Sequence, residues 1–258
     1  MKKCLIYIYL LLLTSLCCLQ AGAVSSEIRS LSVSDGLPDL VINTIYKDSK
    51  GYVWMGTNTS VERFDGIRLE HYMVEGSNEN LKRVFVLVEM PGNELWVGTG
   101  MGLFRLADDA EKLERLAPEM ITSGVHAFCK LGDVLYVGTE KGLYVYKGGV
   151  FEHVLVDKNV FSRANFVTGM VEGENGILWL STMGGLKSLR LSDQTITSFS
   201  DKLAKNGQNL SFYNVTRIGS KIFMGTMTSG LVLFDTASKY FSRYLDVGCG
   251  VISALSGD

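Results

Sequence analysis

Trp54-Met-Gly-Thr57 opens a set of five short stretches that decide the fold. The others are Trp96-Val-Gly-Thr99, Tyr136-Val-Gly-Thr139, Trp179-Leu-Ser-Thr182 and Phe223-Met-Gly-Thr226. Each reads as an aromatic residue, an apolar residue, a tiny residue and Thr. The tiny residues at positions 56, 98, 138, 181 and 225 are separated by 42, 40, 43 and 44 residues. A nearly fixed period of that length marks a solenoid or propeller rather than one irregular domain. A second apolar run follows each stretch, at Val61 to Phe64, Leu103 to Leu106, Leu143 to Tyr146, Leu186 to Leu189 and Leu231 to Phe234, so whole units repeat.

Inside one unit the periodicity is that of strands. Val41 to Tyr46, Tyr52 to Met55, Val61 to Phe64 and Ile67 to Met73 are apolar segments broken by the turns Lys47 to Gly51, Gly56 to Asn58 and Asp65-Gly66. Four short antiparallel strands per unit predict a propeller blade, and no continuous helical period supports a helical solenoid. The expected fold is all-β: a β-propeller of about five complete blades plus the first strand of a sixth. That sixth start is Val251-Ile-Ser-Ala-Leu-Ser-Gly-Asp258, which lines up without a gap on Val41 to Asp48 at an offset of 210 residues. Ile28 to Ser34 reads as a strand placed to close a ring, and the chain reads as the front part of a longer protein or the product of a truncated frame.

Trp54, Trp96, Tyr136, Trp179 and Phe223 are expected to fill the space between neighbouring blades. Gly56, Gly98, Gly138, Ser181 and Gly225 let adjacent backbones approach, and Thr57, Thr99, Thr139, Thr182 and Thr226 suit a pleated strand end. All fifteen are read as structural. A phosphate-cradling role needs a glycine-rich loop opening a helix with a Lys behind it, which no copy has. Ser60-Val-Glu-Arg63 lacks the Gly-Leu of the other units, so its local turn is expected to differ while its register holds.

Residues 1–23 read as a secretory signal. Lys2 and Lys3 precede an apolar run of 16 residues from Cys4 to Leu19, and Gln20-Ala-Gly-Ala23 offers small residues for cleavage after Ala23. The run is shorter than the roughly 20 residues that span a hydrocarbon core. The domain reading is therefore a signal at 1–23 and a partial propeller at 24–258, exported to the periplasm or another extracytoplasmic space. Loss of the signal leaves 23 basic and 27 acidic side chains, a net of −4, which fits neither a nucleic-acid binder nor an anionic membrane surface. With 28 Gly, 3 Pro and 47% apolar residues the chain is too hydrophobic for disorder and suits many tight turns. Cys129 and Cys249, the cysteines left after cleavage, lie in apolar stretches and read as buried thiols whose pairing sequence does not decide.

The opening Ile28-Arg-Ser-Leu-Ser-Val-Ser-Asp-Gly-Leu-Pro38, with Asp48-Ser-Lys-Gly-Tyr-Val-Trp-Met-Gly-Thr57 and Gly100-Met-Gly-Leu-Phe104, resembles the two-component regulator propeller repeat of Bacteroides-type hybrid histidine kinases. The resemblance implies a sensor region that responds to glycan fragments, in a receptor whose full-length members are anchored in the inner membrane and carry kinase and DNA-binding domains. The kinase His, the receiver Asp and the DNA-reading helix have no counterpart in these residues, and the family supplies no short ligand motif to carry over.

No catalytic constellation, metal site or cofactor is expected. His71, His126 and His153 lack the spacing of metal ligands, Asp108-Asp109 and Glu172-Gly-Glu174 fall in turns where solvated charge is the default, and no nucleophile motif occurs. The favoured function is a sensor segment. The alternatives are a secreted enzyme acting on polysaccharide and a passive interaction scaffold. The partners open to it are an oligo- or polysaccharide and a second copy docked through propeller surfaces, with no nucleic acid and no membrane insertion by the mature segment.

Overall fold

The computed structural model describes residues 30–74, 81–199, 210–226 and 229–245. Five four-stranded antiparallel sheets follow one another along the chain, each with its strands in sequence order. Blade 1 holds β1 (Thr44–Lys47), β2 (Val53–Gly56), β3 (Val61–Phe64) and β4 (Leu69–Tyr72). Blade 2 holds β5 (Val84–Met90), β6 (Glu94–Thr99), β7 (Gly102–Leu106) and the two-residue β8 (Glu114–Arg115). Blade 3 holds β9 (Val125–Leu131), β10 (Val134–Thr139), β11 (Gly142–Lys147) and β12 (Val150–Val154). Blade 4 is β13 (Val167–Glu172), β14 (Ile177–Thr182), β15 (Gly185–Arg190) and β16 (Ile196–Phe199). Blade 5 is β17 (Phe212–Ile218), β18 (Lys221–Thr226), β19 (Leu231–Asp235) and β20 (Tyr240–Leu245).

The first strands of successive blades are neighbours, so β1, β5, β9, β13 and β17 line the axis and the fourth strands face outward. The described sheets do not close into a ring. The proposed sixth-blade strand, the signal and Cys249 lie outside the described residues.

No sheet has a core of its own; the apolar side chains meet between sheets. Trp54 packs with Leu95, Val97, Phe104 and Leu106 of the next blade. Trp96 packs with Leu135, Val137 and Tyr144, Tyr136 with Leu178, Leu180 and Leu189, and Trp179 with Phe212, Ile222 and Phe234. Each ring is therefore a wedge driven into the following blade, and all four are at most 9% exposed. Phe223 is only half-buried, and its described ring contact is an edge-to-face one with Tyr244 in its own sheet.

The Ile28 to Ser34 expectation fails over its described part. Val33–Asp35 is a short 3-10 turn, with the Ser32 N–H donating to Asp35 Oδ2 at 2.9 Å and Gly36 at φ 101°. A Ser-x-x-Asp capping pair followed by a left-handed glycine outweighs the alternation of Leu31 and Val33 that suggests a strand.

Candidate functional site

The five Thr positions do more than end a strand. Thr139 Oγ1 donates to the Gly142 carbonyl at 2.9 Å and accepts the Lys141 N–H at 3.0 Å, which ties the β10–β11 hairpin with one side chain. Thr99 and Thr182 repeat the pattern on Gly102 and Gly185. Thr226 does so on Gly230 across a turn one residue longer. Thr57 binds the Ser60 carbonyl and the Thr59 and Ser60 N–H groups, so blade 1 keeps the hairpin without the Gly-Leu pair. All five hydroxyls are buried, where an unpaired one would cost about 1–3 kcal/mol.

The tiny residues sit where the next blade presses in. A Cβ on Gly56 would lie 2.5 Å from Val84, and one on Gly138 would lie 2.8 Å from Val167. These positions are packing devices, and the hairpins they serve define one end of the propeller, called here the upper end.

At that end the innermost strands share a feature absent from the sequence pattern. In blades 2 to 5 the pairing of the first two strands skips one residue: Val84 pairs with Thr99 and Val86 with Gly98, leaving Phe85 unopposed. His126, Thr168 and Tyr213 occupy the same bulge in blades 3, 4 and 5. A bulge redirects its extra side chain, and bulges concentrate beside functional sites. Asn43 holds the corresponding place in blade 1, one residue before Thr44, which pairs with Gly56. The Asn43 N–H donates to the Gly56 carbonyl.

Two of the bulged side chains, Phe85 and His126, meet at the axis, while the Thr168 hydroxyl is bound between blades, donating to the Phe212 carbonyl. The Phe85 and His126 rings are 4.1 Å apart between centroids, and Phe166 lies 4.7 Å beyond His126. The Arg83 guanidinium stands 5.3 Å over Phe85 while its Nε donates to Asn43 Oδ1, and Asn43 Nδ2 in turn donates to Asn58. Arg83 and Lys82 are consecutive left-handed residues, with φ of 74° and 49°. Three backbone bonds hold that strain: Arg83 N–H to the Asn58 carbonyl, Val84 N–H to that of Thr57, and Gly100 N–H to that of Arg83. Strain of this kind persists only where its surroundings over-determine it, and it gathers at binding sites.

His126 Nε2 lies 3.1 Å from Glu140 Oε1. A carboxylate only accepts, so the ring donates from Nε2 and keeps Nδ1 as an acceptor. Burial lowers the imidazole pKa, the Arg83 charge lowers it further and Glu140 opposes both, leaving the ring neutral at neutral pH. Gly124 makes room for the pair, since a Cβ there would lie 2.8 Å from Glu140 Oε1. The mouth thus offers two aromatic faces, a neutral imidazole, an amide and a guanidinium.

The remaining polar groups are engaged elsewhere. Asp108 is bound by Lys50 and Asn93, and Glu174 by Arg217. His71 bonds buried Glu62, and His153 bonds the Lys141 carbonyl while stacking on Tyr144. Cys129 is a free thiol. Among the described residues no group of three or more His, Cys, Asp or Glu could hold a metal ion. Clefts of about 440, 610 and 370 Å³ open beside Trp54, Trp96 and Trp179, one at each of three blade junctions. Their recurrence marks them as products of wedge packing.

Residues 36–59, which run from the Gly-Leu-Pro opening through the Trp54 hairpin, match the family model of the two component regulator propeller. That match falls on the first of the five repeats. The chain is 27% identical to histidine kinase P4 of Formosa agariphila, across 74% of this chain and 16% of that protein. An extracellular domain ascribed to the hybrid two component system BT4673 of B. thetaiotaomicron superposes with a TM-score of 0.72 at 19% identity, over 84% of this chain and 29% of that one. An inactive virginiamycin B lyase from Staphylococcus aureus, solved with quinupristin, gives 0.63 at 16% identity over 81% and 71% of the two chains. At those identities the solved structures show the fold alone, and the chain spans less than a third of the kinase and of the BT4673 domain.

Proposed function

We propose that this chain is the extracytoplasmic sensing segment of a hybrid two-component receptor and that the upper mouth of the propeller receives a glycan fragment. The export signal read in residues 1–23, the regulator propeller repeat and the likeness to a histidine kinase and to a two-component extracellular domain support the receptor reading. Among the described residues no helix is long and apolar enough to cross a membrane. Relatives that are sensors favour binding over turnover.

The observation that carries the ligand reading is the repeated bulge, which brings Phe85 and His126 into ring contact at one mouth. Sugar rings present apolar faces and a dense array of hydroxyls, which aromatic faces and a few fixed polar groups recognise together. Calorimetric titration of the chain with oligosaccharide fragments of pectin, galactan and xylan tests this. At least one fragment is expected to bind, with Phe85→Ala weakening it by about tenfold, the scale of one lost ring contact. Absence of binding across the panel, or unchanged affinity in both Phe85→Ala and His126→Ala, overturns the ligand reading.

A further inference from the structure

The two ends of the propeller treat charge differently. The ion pairs of Lys and Arg with acids lie along the outer strands or at the lower end: Lys50 with Asp108, Arg63 with Glu70, Arg105 with Glu94 and Glu114, Arg190 with Asp193 and Arg217 with Glu174. At the upper end Lys82, Arg83, Lys141, Lys158 and Arg163 form no ion pair among the described residues. Their observed bonds are to neutral groups: Arg83 to Asn43, Lys141 Nζ to Thr122 Oγ1 and Arg163 to Ser211 Oγ.

The acids of that end are largely committed. Glu140 takes the His126 N–H, Asp39 takes the Val41 N–H, and Asp157 takes the Asn159 N–H and the Ser162 hydroxyl. Glu119 on the blade 2 to blade 3 connection is the one carboxylate there without such a bond among the described residues. A bond from a neutral donor leaves a carboxylate charged, so the five cations stand against the four carboxylates Glu119, Glu140, Asp39 and Asp157, a small positive excess around a mouth floored by Phe85, His126 and Phe166. Arg83 is also fixed in place, because its left-handed backbone is pinned and its Nε is tied to Asn43. A guanidinium held this way still presents its terminal N–H groups, whose planar fork matches a carboxylate or sulfate.

We infer that the mouth selects an acidic oligosaccharide, one carrying carboxylate or sulfate groups, with Arg83 and Lys141 taking the anion while Phe85 and His126 take the ring. This rests on the glycan reading above and names its ligand class. A neutral sugar leaves the small excess of positive charge and the terminal N–H groups of Arg83 without a partner, whereas an anionic one gains charge-assisted bonds that salt weakens.

The test titrates the chain with oligogalacturonate, with the same oligosaccharide after reduction of its carboxyls to alcohols, and with a sulfated galactan oligosaccharide. At least one anionic ligand is expected to bind about tenfold or more tighter than the reduced one, with affinity falling as salt rises. The preferred anion then separates the carboxylate source from the sulfate source. Lys141→Met is expected to lower the anionic affinity several-fold and leave the neutral ligand unchanged; because Lys141 is exposed, it reports even if Arg83→Met disturbs its strained turn. Equal or tighter binding of the reduced oligosaccharide overturns the acidic-ligand inference and leaves the glycan reading standing. Absence of binding by all three, together with absence of binding across the pectin, galactan and xylan panel, removes both.

Discussion

Gly169 stands opposite Ser181 across β13 and β14, and a Cβ on Gly169 would lie 2.7 Å from Ser181 Oγ. In blade 3 the same two places hold Ala127 and Gly138. The small residue has changed strands, and the pair keeps its combined volume. Gly169→Ala alone is expected to destabilise the chain by about 1–3 kcal/mol, as overpacking does. Adding Ser181→Gly recreates the blade 3 pair and should recover a clear part of that loss. Urea denaturation of the two single variants and the double measures the coupling, and strict additivity would show that the two sites do not share space.

The threonine staples give a second test. Thr182→Val keeps shape and β-branching but removes the hydroxyl that binds the Gly185 carbonyl and the Gly184 N–H. Both backbone groups lose a buried partner, so a loss of about 1–3 kcal/mol is expected, while Thr182→Ser should cost much less. A role limited to strand pleating predicts the opposite order, because Val suits a strand better than Ser. Thermal melts of the two variants decide between them.

The blade period, the interblade aromatics and the four-strand unit were legible because each depends on residue type at fixed spacing. Trp54, Trp96, Tyr136 and Trp179 announce a buried position by size alone. The mouth was not legible, because a bulge is defined by which residue its partner strand skips. Val84-Phe85-Val86 and Val125-His126-Ala127 look like ordinary alternation until the pairing shows that the flanking residues oppose consecutive residues of the partner strand and the middle one opposes none. The one available signal was a polar or aromatic residue at a single register in every copy, beginning with Asn43. The staples were half-legible: Thr was expected at a strand end, but its hydroxyl chemistry depends on the turn that follows. At Val33–Asp35 apolar alternation alone reads as a strand, and the capping pair of Ser32 and Asp35 overrides it.

Cys129 is the described free cysteine, and burial pushes its thiol up to about 11. Nucleophilic attack requires the thiolate, which is scarce at neutral pH for such a group. With Cys249→Ser as background, iodoacetamide at pH 8 is expected to leave Cys129 largely unmodified in the native protein and to alkylate it readily in guanidinium. Rapid native labelling, read by mass spectrometry, would show that the interface of blades 3 and 4 opens.

The pH dependence of the mouth follows from His126. Its pKa is lowered in the folded chain because burial outweighs the opposing pull of Glu140, with Arg83 adding to the lowering, while an exposed imidazole in the unfolded chain stays near 6.5. The unfolded state therefore binds the proton more readily, and the contribution of the neutral ring to stability is present above the unfolded pKa and lost as pH falls toward the folded one. Stability should drop on acidification below about 6.5, and His126→Asn should flatten that part of the profile. Acidification has a second effect at the mouth. A protonated His126 adds a cation beside Arg83, so anion affinity should rise as the ring charges, within the range where the chain stays folded. Denaturation midpoints and oligogalacturonate titrations across that range, paired with the nuclear magnetic resonance titration of the His126 ring, place the three curves on one axis. A ring that titrates at or above 6.5 in the native chain would contradict the burial-dominated assignment and remove the stability prediction with it.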